Sequence, residues 1–372
     1  MKNIVIFYPS FERGGVTKVL VNLIKFFSKK RINIFLITNK KDLSLKNTKN
    51  LKILITKKYN LNFINNLVGK TWDFHKVISG LRSVIILKSL LKKLQRKKTV
   101  ILSMQSSFFS VLLAFFFRWK IFVRVSEDPC GATKYADNKL FAILVLITKF
   151  ITYNLCDKII ANALKSQNCI KKFVLRKNKV KLLYNPTLLK IEKKNNSLKK
   201  NYFLNVGRLC RQKNQSMLID AFYEFYKNNK KYKLLLCGDG PDKEKLQNKV
   251  KKLNLKKSIK FLGWQNDMSY IYKRAKLFVL TSYYEGMPNV LIDAVNFETP
   301  SIAFNASGVE DILLNGKGGE IIKKNNSKEL AKRIKNAVSD YKKILIKTKK
   351  YQNKIDKYYI EEAGQRYINL LT

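Results

Sequence analysis

Ala275-Lys-Leu-Phe-Val-Leu-Thr281-Ser282-Tyr-Tyr-Glu285-Gly286-Met287-Pro288-Asn289-Val290-Leu-Ile-Asp293-Ala294 reads as an apolar strand, a loop holding Gly and Pro, and the opening of a helix. One carboxylate, Glu285, stands in the loop, and a second, Asp293, lies inside the helix that the loop opens. A helix start at the carboxyl end of a buried strand is where open α/β sheets bind ligands. Backbone N–H groups at such a start favour anions such as a diphosphate. Hydroxyl-rich ligands accept hydrogen bonds from N–H groups and donate them to carboxylates. Phosphate and sugar recognition in one loop points to a nucleotide-sugar.

Outward from this stretch, apolar strands alternate with helical patterns in both halves of the chain. The first half has strand patterns at Asn3–Tyr8, Asn33–Thr38, Thr99–Ser103, Ile121–Val125, Lys158–Ala161 and Val180–Leu183. A polar connector at 186–200 precedes a second series at Tyr202–Val206, Lys233–Cys237, Ser258–Phe261, Leu277–Thr281 and Ser301–Phe304. Strands alternating with helices imply parallel βαβ units. The expected fold class is α/β, with two successive doubly wound, Rossmann-like domains at 1–185 and 201–354 joined by the 186–200 linker. The tail is helical and rich in Lys.

Three more glycine loops follow strands. Asn205-Val206-Gly207-Arg208-Leu209-Cys-Arg211-Gln-Lys213 turns at Gly207, and Arg208 and Lys213 can converge on a phosphate, Arg as a fork and Lys as a point charge. A solvated basic loop is the plainer reading of that segment alone. Cys237-Gly238-Asp239-Gly240-Pro241 falls on the same edge of the expected sheet, and Glu12-Arg13-Gly14-Gly15-Val16 opens the first helix without G-x-G-x-x-G spacing. Glu127 and Asp128, after the Ile121–Val125 strand, could contact an acceptor hydroxyl or move a proton, or could be solvated loop acids. His75, the single histidine, is assigned no chemistry.

Composition bears on partners. The formal charge is +50, and residues 1–185 hold 37 Lys and Arg against 7 Asp and Glu. Abundant Lys, Asn and Ile also fit AT-rich coding. Basic charge together with aromatic and aliphatic runs in the first half fits an anionic membrane face better than a nucleic-acid groove. The runs are Phe108 to Phe117, Leu140 to Ile151 and the mixed Val77 to Lys98. The first two fall short of the roughly 18–20 residues of a spanning helix, leaving buried core helix and interfacial helix as alternatives. The five cysteines include no C-x-x-C pair; they read as thiols of a reducing compartment rather than a zinc site. The N-terminus is too brief an apolar run for a signal peptide.

Taken together, the motifs resemble the retaining glycosyltransferases of family 4, which have the GT-B fold of two Rossmann-like domains facing each other across a cleft. The carrying pieces are Val206-Gly-Arg-Leu, Gln212-Lys-Asn, Leu218-Ile-Asp-Ala-Phe222, Cys237-Gly-Asp-Gly-Pro, Phe261-Leu-Gly-Trp264, Glu285-Gly-Met-Pro-Asn, Ser307-Gly-Val-Glu-Asp-Ile-Leu313 and Gly316 to Gly319. In the first half, Gly14-Gly15 and Tyr184-Asn185-Pro186 also fit. The resemblance implies that Arg208 and Lys213, with Gly207 and Gly238, hold the donor diphosphate. Glu285 would contact the sugar hydroxyls beside the backbone of Gly286, Met287, Pro288, Asn289 and Val290. Asp293 would contact the ribose and Trp264 would lie near the base. Gly14 and Gly15 would lie at the cleft floor near phosphate or acceptor, with Arg124 and Glu127 on the acceptor side and Asp128 in the catalytic set. The 355–372 segment would cross back onto the first domain. No metal or cofactor is implied.

The family pairs two Glu residues where this chain has Glu285 and Asp293, and it commonly places a His where this chain has Glu127-Asp128. The resulting expectation is a cytoplasmic enzyme, peripheral on the inner face of the cell membrane. It would transfer a hexose or N-acetylhexosamine from a nucleoside-diphosphate sugar, UDP favoured, with retention. The acceptor would be a polyprenyl-diphosphate-linked or other lipid-linked glycan in surface polysaccharide or lipopolysaccharide synthesis. Competing readings are a soluble sucrose- or glycogen-type transferase, a catalytically weak assembly subunit and a charge-driven nucleic-acid binder; no nucleic-acid module is recognisable, so nucleic acid is not an expected partner.

Overall fold

The computed structural model describes residues 1–9, 14–39, 45–56, 74–104, 108–189, 198–323 and 326–372, with only the backbone at 74–79. Glu12 and Arg13, most of the 186–200 connector and the side chain of His75 therefore lie outside the described residues. The chain divides into two compact units, one of Met1–Pro129, Ala136–Thr187 and Tyr359–Thr372, the other of Cys130–Tyr135 and Leu188–Tyr358.

The first unit is built on a parallel sheet of seven strands: β1 (Lys2–Tyr8), β2 (Ile32–Thr38), β3 (Leu51–Ile55), β4 (Thr99–Ser103), β5 (Ile121–Arg124), β6 (Lys158–Ala161) and β7 (Val180–Leu182), in the order β3-β2-β1-β4-β5-β6-β7. β1 lies between β2 and β4, and its Ile4, Val5, Ile6 and Phe7 are fully buried, the continuous apolar run of a strand covered on both faces. One face is covered by α1 (Gly15–Phe27) and the C-terminal helix Ile360–Leu371. Gly364 permits that packing, because a Cβ there would stand 2.6 Å from the Phe26 ring. The other face carries α2 (Phe74–Leu91), α3 (Phe108–Phe116) and the helix Lys139–Leu155, with α3 between the other two.

The second unit has six parallel strands: β8 (Lys200–Val206), β9 (Lys233–Cys237), β10 (Ile259–Gly263), β11 (Ala275–Leu280), β12 (Ser301–Phe304) and β13 (Glu320–Ile322). Their order is β10-β9-β8-β11-β12-β13. Winding outward from β8 in one direction and then from β11 in the other makes this a doubly wound sheet. β3 and β13 are additions to the expected strand set. Both are edge strands, β3 half-exposed and β13 only three residues long, so neither carries the apolar run that marks a central strand.

The apolar runs of α3 and Lys139–Leu155 form surface helices that expose large apolar side chains, rather than fully buried core. Leu140 is 77 % exposed, and Phe141, Leu144, Ile147 and Phe150 are also exposed, as are Phe109, Phe115 and Phe116 of α3. Among the described residues no helix is long and apolar enough to cross a membrane. Cys156, Cys210 and Cys237 are free. Cys130 and Cys169 are disulfide-bonded, so the reading of all five cysteines as thiols does not hold for these two.

Two stability predictions follow from this packing. Gly364→Val pushes into the buried Phe26 ring and is expected to destabilise the fold by about 1–3 kcal/mol, read as a lower Tm. Burial raises the pKa of Glu320 on β13, with nearby Arg333 and Lys347 offsetting it only in part. A raised carboxyl pKa favours the folded state while the group is neutral and loses that contribution as pH rises through the folded pKa. Glu320→Gln should therefore raise Tm more at pH 7 than at pH 4.

Candidate active site

In the second unit the strand order reverses between β8 and β11, and the candidate side chains sit at the carboxyl ends of those two neighbours. The chain leaves β8 at Gly207, passes Arg208 and enters a short 3₁₀ turn at Arg211–Lys213. It leaves β11 into the loop that carries Glu285. Three hydrogen bonds join the loops. Tyr283 N donates to Gln212 O at 2.9 Å, Gln212 Nε2 donates to Tyr284 O at 2.9 Å, and Thr281 Oγ1 donates to Lys213 O at 2.9 Å.

This lacing brings Lys213 to Glu285: the ammonium donates to Glu285 Oε1 at 2.5 Å, and Ser282 Oγ donates to the same oxygen at 2.7 Å. Glu285 is 6 % exposed. A carboxylate this buried requires such partners, since an unpaired buried charge is costly. Glu285 and Lys213, expected on the sugar and the diphosphate, are thus already paired. A diphosphate entering here would compete with Glu285 for the Lys213 ammonium. Arg208 is exposed, and its guanidinium makes no hydrogen bond or ion pair among the described residues, while its carbonyl accepts from Gln215 Nε2 at 3.0 Å.

Gly207 and Gly238 form the floor. The Lys213 side chain runs over Gly207, whose added Cβ would sit 3.6 Å from it. Gly238 has φ +132°, and a Cβ on it would fall 2.0 Å from the Gly207 carbonyl oxygen. The two turns are stitched by Gly207 N to Cys237 O at 2.9 Å and Leu209 N to Asp239 O at 2.9 Å. Burial pushes the Cys237 thiol up to about 12, which makes it a packing group rather than a nucleophile.

The helix Asn289–Asn296 begins directly after this loop, with no acidic residue in its first turn, so its positive end is not neutralised locally. Gly286, Met287 and Pro288 are buried, and Asn289, Val290 and Asp293 half-buried. Tyr272 OH donates to Val290 O at 3.1 Å and anchors the helix start from below. Burial raises the Tyr272 pKa strongly, and the neighbouring Asp293 charge adds to it. Trp264 follows β10 and is 54 % exposed, an indole face open to a planar group. Four supporting residues were given no role in the sequence reading: Gln212, Ser282, Tyr272 and Gly308. Gly308 has φ +80°, and its added Cβ would lie 2.9 Å from Gly286 O, so its backbone props the Glu285 loop. The signal for the first, second and fourth was present, since all three lie in the motif stretches themselves.

In the first unit, Gly14 and Gly15 open α1 at the carboxyl edge of the sheet, and a Cβ on Gly14 would meet nothing within 4 Å. Arg124 is 1 % exposed. Its guanidinium donates to Tyr367 OH at 3.1 Å, Ser126 Oγ at 2.8 Å and Asn185 Oδ1 at 2.5 Å. Those bonds tie the C-terminal helix and the Tyr184-Asn185-Pro186 stretch to β5, a positioning role rather than an open contact. Glu127 is half-exposed and pairs with Lys149 Nζ at 3.0 Å. Asp128 is 4 % exposed, not a solvated loop acid.

Residues 189–358 match the family model described as glycosyl transferases group 1. The chain is 28 % identical over 304 residues, 80 % of each chain, to a Campylobacter jejuni GalNAc-alpha-(1->4)-GalNAc-alpha-(1->3)-diNAcBac-PP-undecaprenol alpha-1,4-N-acetyl-D-galactosaminyltransferase. It is 26 % identical over 224 residues to an uncharacterised Haemophilus influenzae glycosyltransferase, covering 60 % of this chain and 63 % of that one. Among solved structures, Anabaena HepE in complex with UDP and glucose superposes with a TM-score of 0.77 at 16 % identity, covering 100 % of this chain and 99 % of that one.

Gly238→Ala tests the floor. The added methyl meets a backbone oxygen that cannot yield, so the Gly207 turn must shift. Nucleotide affinity, measured by calorimetric titration with UDP, should fall at least tenfold.

Proposed function

We propose that this GT-B glycosyltransferase, whose second unit carries the group 1 domain, moves a hexose or N-acetylhexosamine from a nucleoside-diphosphate sugar to a lipid-linked glycan. The observation that carries the reading is the Lys213–Glu285 pair at the strand-order reversal, beside an un-neutralised helix start. The named relative acting on an undecaprenyl-diphosphate glycan, and the UDP complex of the structural neighbour, support the donor and acceptor classes. UDP is the favoured nucleotide.

In this reading Lys213 and Arg208 hold the diphosphate, and the helix start at Asn289 adds its dipole. Glu285 accepts hydrogen bonds from sugar hydroxyls, and Asp293 takes the ribose. Trp264 lies beside the base. The reaction proceeds with retention. The bond from the anomeric carbon to the leaving phosphate oxygen breaks, the acceptor oxygen bonds to the same face, and its proton passes to the leaving oxygen. That route needs no histidine at 127–128. The cations and helix dipole stabilise the negative charge that develops on the diphosphate, so neither metal nor cofactor is invoked. Surface polysaccharide or lipopolysaccharide synthesis on the cytoplasmic face of the membrane is the setting. The exposed apolar stripe of Leu140, Leu144, Ile147 and Ile151 supports a bilayer contact, because a helix with one apolar face lies in the interfacial plane.

The test is sugar transfer from a panel of nucleotide-sugars to lipid-linked acceptors extracted from membranes. Turnover of one donor is expected, reduced roughly a hundredfold or more in kcat by Glu285→Gln and by Lys213→Ala. Nucleotide binding with no turnover of any donor would instead identify a catalytically weak assembly subunit.

A further inference from the structure

The first sheet has a second polar feature, at the edge opposite Gly14 and Gly15. A cavity of ≈ 310 Å³ lies where β1 and β4 begin and where the chain enters β5. Of its twelve lining residues six are cations, Lys2, Arg96, Lys97, Lys98, Arg118 and Lys120, and none is Asp or Glu. Lys and Arg make up 75 of the 372 residues, about one in five, so the cavity is more than twice as basic as the chain. Six cations outnumber the one carboxylate at the cavity, that of the last residue Thr372, so they repel one another, and an entering anion relieves that repulsion. None of the six forms a salt bridge to an Asp or Glu side chain among the described residues; Lys2 Nζ donates to a carboxylate oxygen of the last residue, Thr372, leaving five cations without an acidic partner.

What lies beside the cavity identifies the kind of anion. α3 ends in Phe115, Phe116 and Phe117, which are 50 %, 73 % and 51 % exposed. Arg118 then takes φ +53°, with its N–H bonded to Phe115 O and that of Trp119 to Ala114 O. This left-handed turn ends the helix so that three aromatic rings face solvent and the next side chain lines the basic cavity. Lys88 Nζ stands 5.3 Å from the centre of the Phe117 ring. Adjacent exposed aromatics and cations match a bilayer interface, where rings settle at headgroup depth and cations meet lipid phosphates. A soluble phosphate would use the cations alone; single-stranded bases could stack on the Phe rings, but the exposed aliphatic Leu140, Leu144 and Ile147 of the neighbouring helix match hydrocarbon rather than bases.

We infer that the cavity formed by Lys2, Arg96–Lys98, Arg118 and Lys120 is a phosphate-headgroup site for an anionic membrane phospholipid, occupied when Phe115–Phe117 enter the interface. The site rests on the proposal that the enzyme works at a bilayer. It is distinct from the acceptor edge, because β1 separates the two by roughly 20 Å of strand. The helices α2, α3 and Lys139–Leu155 pack on one face of this sheet, and α3 runs directly into Arg118 of the cavity, so a bilayer touching the α3 end reaches the cavity. One headgroup held at the rear edge fixes how the first unit is turned on the membrane.

Vesicle co-sedimentation of the full chain tests this without any sugar transfer, so it stands or falls apart from the donor chemistry. The vesicles are phosphatidylcholine alone or phosphatidylcholine with phosphatidylglycerol. Three variants are compared with wild type: Arg96→Ala/Lys98→Ala/Arg118→Ala, Phe116→Ser, and a charge-matched Lys245→Ala/Lys251→Ala/Lys252→Ala on the exposed side of a second-unit helix. All substituted side chains are exposed, and thermal melts check that each variant is folded. The expected result is binding to the anionic vesicles weakened about tenfold or more by the cavity variant, clearly weakened by Phe116→Ser, and changed less than threefold by the control. Equal loss in the control would overturn the site in favour of diffuse charge. Full displacement by inorganic phosphate with Phe116→Ser unchanged would make it a soluble-anion site. Loss of single-stranded polynucleotide binding in the cavity variant as large as or larger than its loss of vesicle binding would make it a nucleic-acid contact.

Discussion

A parallel sheet whose strand order reverses leaves a crevice at the carboxyl ends of the two strands at the reversal, because the connections on either side depart in opposite directions. In the second unit those strands are β8 and β11, and the polar chemistry is gathered around that crevice. The Gly207 turn supplies Lys213, the loop after β11 supplies Glu285, and the Gln212 and Thr281 hydrogen bonds hold the two at contact distance. The Gly207 and Gly238 backbones come into near-contact beneath the pair. A buried carboxylate, a neighbouring ammonium and a helix dipole then follow from topology, with little further adjustment by the loops.

The first unit uses the same architecture for a different purpose. Its reversal lies between β1 and β4, where α1 begins at Gly14 and Gly15. Polar groups nearby are largely committed to structure. Arg124 spends its guanidinium on Tyr367, Ser126 and Asn185, a neutral cage that fastens the returning C-terminal helix to the sheet. A buried cation with hydrogen bonds to neutral oxygens avoids the loss that an unpaired one would suffer. The same helix packs on α1 through Gly364 and Tyr367, so the tail is part of the first unit's core.

Much of this was legible in the sequence, and the omissions have physical causes. Central strands such as β1 and β11 are buried on both faces, so their apolar runs declare them; β3 and β13 are edges, with fewer apolar positions to show. Glu285, Lys213 and Gly207 stand out as a loop acid, a loop base and a turn, because strand-to-helix loops leave local signatures. That Lys213 bonds Glu285 is a statement about which strands are neighbours, and residues 72 positions apart carry no local trace of it. Burial is equally invisible: Arg124 reads like any loop-proximal cation, and only its place under the C-terminal helix shows it to be structural. For the apolar helices the sequence left core and interface both open, since α3 is apolar nearly all round and composition alone cannot say which face meets the sheet.

We propose that the Lys213–Glu285 pair is a donor site in which the carboxylate holds the cation until a diphosphate takes it. The direct measurement is a double-mutant cycle on UDP affinity with wild type, Lys213→Ala, Glu285→Gln and the double variant. The account predicts that Lys213→Ala weakens UDP binding, that Glu285→Gln leaves it equal or tighter because the competitor for the ammonium is gone, and that the double variant resembles Lys213→Ala. Parallel weakening by Glu285→Gln and Lys213→Ala, with additive losses in the double variant, would contradict it.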